Sequence, residues 1–158
     1  MRKLKIYLDT SAISLLHYNK NDERVADSQK MWELIKNGEY DVYLSPTLFE
    51  EIENNIEPKL SILLDYIDNI NYKVLEMTED VIKLANDYID NNVLPKGSFN
   101  DAIHVAFAVI YNCDFIVSWN FKHLANVKTM NKVKIVNTMN GYKDISIVPP
   151  TMLIEKES

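Results

Sequence analysis

The chain predicts an α/β fold built on a parallel sheet, and two observations carry that reading. Short β-rich runs alternate with helical stretches of ten or more residues, the pattern of strands joined by crossover helices. Four blocks far apart in the chain each end an apolar run on an acidic or amide side chain: IYLDTSAIS at Asp9, LSPTLFEEI at Glu51, GSFNDAIHVAFAV at Asp101 and CDFIVSWNFKHL at Asn120. In open parallel sheets the functional crevice lies beyond the carboxyl ends of the strands. Polar side chains at those ends therefore gather at one edge, and carboxylates gathered there make a hard oxygen site suited to Mg²⁺ or Mn²⁺.

Taken in order, Leu4–Leu8 (LKIYL) alternates and is rich in β-formers, which predicts a strand ending at Asp9. A short helix is expected over Thr10–His17, and a polar turn over Asn19–Glu23. Val25–Lys36 places Val25, Met31, Trp32 and Ile35 near helical spacing, and Asn37-Gly38 stops it. Asp41–Leu44 reads as a second strand, and Ser45-Pro46 as a helix opening with Ser as cap and Pro in the first turn. That helix is expected to run to about Asn55, followed by another over Pro58–Ile70. Tyr72–Leu75 is a third strand, Thr78 opens an amphipathic helix, and Ser98 opens one through Asn112. Asp114–Val117 is a fourth strand, Val133–Val136 (VKIV) a fifth, and Ile145–Val148 a short edge strand before Pro149-Pro150.

The 158 residues suit one domain, read here as 1–148 with a C-terminal tail over 149–158. Hydrophobic residues at 47% supply a core. Three scattered glycines leave no Walker or GxGxxG loop, which argues against a nucleotide cradle. A net charge of −6 argues against a broad basic face for nucleic acid, yet an acidic cleft loaded with metal still attracts phosphate. The single cysteine, Cys113, reads as a packed thiol, and a chain with no disulfide framework points to a reducing cytoplasm. The basic start MRKLKIYLD runs straight into a strand without a signal-like apolar region, and the longest apolar run, Val105–Tyr111, is too short to span a bilayer.

Each candidate has a plainer reading beside it. Asp9 is also a favoured cap for the helix at Thr10. Ser98-x-x-Asp101 is a capping-box pattern, although the nearly all-apolar helix that follows is expected to be buried. Of Glu50, Glu51, Glu53 and Glu57, helical spacing leaves Glu51 and Glu53 on the borders of the face made by Leu48, Phe49, Ile52 and Ile56, and does not choose between them. His104 stands one turn after Asp101, either in a metal pair or as a hydrogen-bonded core histidine. Trp119 and Phe121 read as packing around a turn or as stacking partners for a base, with Lys122 and His123 beside them for phosphate. No His/Cys cluster suits Zn²⁺, and no GxSxG elbow marks a nucleophilic serine.

In this order and spacing the blocks IYLDTSAI, SPTLFEEIE, FNDAIHVAFAV and CDFIVSWNFKHL resemble the PIN-domain family, from Lys3 to about Ile147. The resemblance implies a three-layer α/β/α sandwich around a mainly parallel sheet of about five strands. It also implies a metal-dependent phosphodiesterase acting on RNA, of the toxin type, with an antitoxin and a homodimer as implied partners. The family's acidic positions match Asp9, Glu51 and Asp101, implied to hold Mg²⁺ or Mn²⁺. The fourth position is usually Asp, and here it is Asn120, which removes a charge but keeps a carbonyl oxygen. The same resemblance implies cleavage to 5′-phosphate and 3′-hydroxyl ends. A catalytically weak or inactive PIN-fold protein that binds nucleic acid is the alternative, made more open by Asn120. A phosphatase of the haloacid-dehalogenase type also begins strand–Asp, but it needs a second Asp where this chain has Ser11.

Overall fold

Strands form where β-branched and aromatic residues run together, and the first two are each closed by a residue that caps the next helix, Asp9 and Ser45. In the computed structural model, which describes residues 2–154, these are β1 (Leu4–Leu8), β2 (Tyr40–Leu44), β3 (Lys73–Val74), β4 (Phe115–Val117) and β5 (Ser146–Val148). They form one fully parallel sheet in the order β3-β2-β1-β4-β5. β1 lies at the centre, with Tyr7 opposite Tyr43 on one side and Ile116 on the other. The chain winds outward from β1 in both directions, so the order reverses between β1 and β4. That reversal is where a parallel sheet opens a crevice.

Seven helices join the strands among the described residues: α1 (Thr10–Ser14), α2 (Glu23–Lys36), α3 (Pro46–Glu53), α4 (Lys59–Asp68), α5 (Glu79–Asp90), α6 (Phe99–Ile110) and α7 (Val127–Met139). Asp9, Asp22, Ser45, Thr78 and Asn126 cap α1, α2, α3, α5 and α7 through their side chains, satisfying backbone N–H groups that a helix start leaves open. α6 has no such cap: Ser98 makes no side-chain cap bond, so the capping-box expectation at Ser98 and Asp101 is not met.

The period-two alternation of β1 splits the core. Tyr7 packs with α5, α6 and α7 on one face, while Ile6 and Leu8 pack with α1, α2, α3 and α4 on the other. The result is a three-layer α/β/α sandwich. After β5, Leu153 and Ile154 fold back onto the second face, where Tyr40 donates to the Leu153 carbonyl at 3.5 Å. Of the expected tail over 149–158, residues 155–158 lie outside the described residues.

One expected strand is overturned. VKIV, Val133–Val136, lies inside α7, and the fifth strand is Ser146–Val148. A four-residue run of three β-branched residues and one lysine fits either structure by composition. The buried positions decide: Thr129, Val133, Val136 and Asn137 recur at helical spacing, whereas Ile135 is 60% exposed. Ile56 also differs from expectation. α3 ends at Glu53, and Ile56 beyond it is 84% exposed rather than part of the buried face.

Candidate active site

Asp9 follows β1, where the chain leaves the sheet and turns into α1. Its side chain is only 4% exposed and accepts three hydrogen bonds. Oδ1 takes the Ser11 hydroxyl at 2.6 Å and the Ala12 N–H at 3.1 Å, and Oδ2 takes the hydroxyl of Ser118 from the end of β4. Asp9 is therefore the helix cap its position predicts and something more, since a cap needs only the bond to Ala12. Burial pushes its carboxyl above the ordinary value, and His104 with the two hydroxyls pulls it part of the way back. These donors occupy three of the roughly four lone-pair positions of a carboxylate, leaving about one.

Glu51 sits half-buried on α3 and is fixed from two directions. Oε1 accepts from the Thr10 hydroxyl at 2.8 Å and from His104 Nε2 at 2.5 Å, and Oε2 accepts none. Burial raises the Glu51 carboxyl, but the His104 bond and charge together with Thr10 outweigh it, so Glu51 lies below the ordinary value. Glu50 and Glu53 are exposed, and of the three it is Glu51 that meets Thr10 and His104.

His104 extends this contact into the core. A carboxylate only accepts, so Nε2 carries the proton toward Glu51. Nδ1 meets the Tyr7 hydroxyl at 2.5 Å, and Tyr7 in turn meets the Ser45 hydroxyl at 2.7 Å. Ser45 caps α3 by accepting from Leu48 N–H at 3.2 Å. The chain stays closed in either charge state. A neutral ring accepts from Tyr7, which accepts from Ser45; an imidazolium donates to Tyr7, which donates to Ser45. Tyr7 is the participant that sequence reasoning missed. Its signal was a tyrosine at a central strand position, where a buried hydroxyl needs a partner.

Asp101 opens α6 one turn before His104. Its carboxylate accepts no hydrogen bond and joins no ion pair among the described residues. With Glu51 it lines a depression closed by the Gly97–Asn100 backbone. Burial raises its carboxyl above the ordinary value; Asp9 and Glu51 raise it further by repulsion, and His104 and His123 oppose them. Asp101 thus feels the charges of both Asp9, which follows β1, and Glu51, on the helix that follows β2. Asn120 lies two residues past Ser118 in the same turn, with its carbonyl oxygen accepting the His123 N–H at 3.0 Å. That oxygen closes a local turn and keeps one lone pair.

The chemistry of this donor set fits a hard divalent cation. Glu51 Oε2 and both Asp101 oxygens are open, about one Asp9 position remains, and no Lys or Arg pairs with any of the three carboxylates among the described residues. Repelling carboxylates without a Lys or Arg partner are what such an ion offsets. The arrangement is open, however. Among the described residues no three Asp, Glu, His or Cys side chains are grouped closely enough to enclose an ion. No helix among them is long and apolar enough to cross a membrane.

Fold and site together define a three-layer α/β protein in which Ser118, at the end of β4, bonds the buried Asp9, at the end of β1, across the reversal point of a parallel sheet. A family model described as "PIN domain" matches residues 5–122, and the chain belongs to the PIN-domain family. No curated protein matches it significantly. Among solved structures it is similar to VapC20 of Mycobacterium tuberculosis, a toxin that cleaves the sarcin–ricin loop, at 17% identity and a TM-score of 0.55 over 70% of this chain and 86% of that one. It is also similar to VapBC2 from Rickettsia felis bound to a DNA fragment from their promoter, at 14% identity and a TM-score of 0.56 over 92% of this chain and 98% of that one. At these identities the likeness concerns the fold.

Proposed function

We propose that this PIN-domain protein is a ribonuclease that hydrolyses RNA with Mg²⁺ or Mn²⁺, and that it is the toxin of a toxin–antitoxin pair. The reading is supported by the PIN-domain match over residues 5–122 and by Asp101 feeling the charges of Asp9 and Glu51, distant in sequence, with no Lys or Arg paired to any of the three among the described residues. The toxin assignment and the antitoxin partner lean on the resemblance to VapC20 and VapBC2. A homodimer and a cytoplasmic setting belong to the same proposal.

In this reading Asp9, Asp101 and Glu51 would hold the ion, with His104 and Thr10 fixing one oxygen of Glu51 and leaving the other open. When bound, the ion supplies Lewis acidity, acidifying a water and offsetting charge on the phosphate oxygens. Glu51, held below its ordinary value, is ionised at neutral pH and serves as an orienting group rather than a proton store. Ser11 and Ser118 favour the charged form of Asp9 and fix the direction of its carboxylate despite its burial. Asn120 adds a neutral oxygen at the rim.

The test is cleavage of mixed RNA by the purified chain in Mg²⁺, Mn²⁺ or EDTA, alongside Asp101→Asn. The wild type is expected to cut only with metal, and Asp101→Asn to lose at least about 100-fold in rate while keeping its circular dichroism spectrum. Cleavage in EDTA, or undiminished cleavage by Asp101→Asn, would refute the reading. Asn120 and the open arrangement of the carboxylates favour a second reading, a weak or inactive PIN protein that binds nucleic acid. Absence of cleavage with any divalent ion, with RNA binding retained, selects it.

A further inference from the structure

A second groove lies beside the carboxylates, between the 92–95 segment after α5 and the β4–α7 turn with the first two turns of α7. Its wall carries Lys122, His123, Lys128 and Lys132, and no acidic residue lines it. That is notable in a chain with 23 acidic and 17 basic side chains. None of the three lysines joins an ion pair among the described residues. Lys132 reaches across to the Asn92 carbonyl at 3.2 Å, tying the two walls together. Lys128 and Lys132 stand one helical turn apart on α7 and present their charges on one face.

An aromatic platform stands at the same place. Phe121 is 50% exposed, an uncommon setting for a phenylalanine, and its ring is braced edge-on by Trp119 at 6.0 Å between centroids. Trp119 is itself buried and locked by its indole N–H on the Ser28 hydroxyl at 2.8 Å. The turn Ser118–His123 joins groove and carboxylates directly: Ser118 bonds Asp9, Asn120 closes on His123, and His123 is near enough to Asp101 to favour its charge.

We infer that this groove seats the backbone of single-stranded RNA next to the carboxylate edge, with Lys122, Lys128 and Lys132 on phosphates and Phe121 stacked on an unpaired base. Lysines with no acidic neighbour on the groove wall supply the sequence-independent attraction of a polyanion. An exposed ring takes a base only when that base is free of a duplex, which selects single strands. The inference rests on the ribonuclease reading for its substrate, but it makes its own claim about binding.

The test uses the full chain with Asp101→Asn, to prevent turnover, and a labelled single-stranded RNA 12-mer followed by fluorescence anisotropy across a salt series. Lys122→Gln/Lys128→Gln/Lys132→Gln together are expected to weaken binding at least about tenfold and to flatten the slope of log K against log salt by about 2. Phe121→Ala is expected to cost about fivefold or more. Lys134→Gln, on α7 outside the groove, should leave binding unchanged. With Asp101 restored, the triple variant should raise KM with kcat nearly constant. A parent that does not bind RNA overturns the inference, as does a triple variant that binds like the parent. Displacement of the RNA by polyglutamate as readily as by unlabelled RNA also overturns it, in favour of an acidic protein segment. If the wild type cleaves RNA and the triple variant keeps its KM, the groove falls and the ribonuclease reading stands. If the parent binds through the lysines and the wild type never cleaves, the groove stands and the ribonuclease reading falls.

Discussion

His104 touches Glu51 with one ring nitrogen and Tyr7 with the other, so one side chain ties a carboxylate on α3 to β1 and, through Ser45, back to the start of α3. Glu51 could not be told from Glu53 by spacing, because its partner comes from α6, 53 residues away in sequence. Asp9 and Asp101 were legible, since each stands where an apolar element meets the sheet edge. The Ser11 and Ser118 donors to Asp9 and the Thr10 donor to Glu51 were legible only in part, because a hydroxyl's direction depends on the turn that carries it. Groups that orient a ligand typically matter by about 10–100-fold. His104→Leu is therefore expected to lower kcat by about that much while KM changes little. It should also cost about 1–3 kcal/mol of stability for each buried polar group left unpaired. His104→Gln keeps a donor for Glu51 and should recover part of kcat. Equal kcat losses in the two variants, tracking their melting temperatures, would reduce His104 to a packing residue.

At the scale of elements, α7 shows what local pattern decides and what it does not. A strand over VKIV would put Val133 and Ile135 on one face and Lys134 and Val136 on the other. The helix instead buries Val133 and Val136 and leaves Ile135 exposed. Val133→Ala is thus expected to cost about 2 kcal/mol in urea unfolding, and Ile135→Ala less than about 0.5 kcal/mol. Equal costs would contradict the helix. β1, β2, β4, α2, α5 and α6 were legible because their apolar periods are long or their caps explicit. VKIV was not, because three β-branched residues around one lysine are too short a run to carry a period of their own. Asn126 at the start of α7 and Asn140-Gly141 at its end were the signals that bound a helix there. α6 was read correctly as central, yet its start lacks a side-chain cap. That leaves the Asp101 carboxylate without a bond to Ser98, facing the depression it shares with Glu51.

Over the whole molecule, winding the chain both ways from β1 sets Asp9, at the end of β1, against Ser118, at the end of β4, across the reversal point, while α3 and α6 meet through Glu51 and His104. The fold thereby concentrates negative charge in a partly desolvated place, which has a consequence for stability. Asp9 and Asp101 have carboxyls raised above their ordinary value by burial. An acid raised in the folded state binds its proton more tightly folded than unfolded. Its contribution is therefore most favourable at acid pH and is lost as pH rises from the ordinary carboxyl value through the raised one. Glu51, Asp22 and Asp114 are lowered, so theirs has the opposite sign, present at neutral pH and lost on acidification. At neutral pH the metal-free protein thus carries a local penalty at Asp9 and Asp101 that a bound cation would relieve. Ligand that binds only the folded state stabilises it by mass action, about 2.7 kcal/mol at one hundred times Kd, or roughly 5–10 °C in melting temperature for a chain of this size. Mn²⁺ at that excess is expected to raise the melting temperature by this amount at pH 7.5. The shift should shrink as pH falls toward 5 and protons compete for Asp9 and Asp101. Asp101→Asn should melt higher than the wild type without metal, because it removes the repulsion, and should respond little to Mn²⁺. Asp114→Asn, at the opposite end of β4, should melt lower through loss of its Arg2 contact yet keep the Mn²⁺ shift. Differential scanning fluorimetry across pH and Mn²⁺ reads all four. An Asp101→Asn chain that gains as much from Mn²⁺ as the wild type would place the cation away from this edge, and with it the basis for assigning the carboxylates a catalytic role.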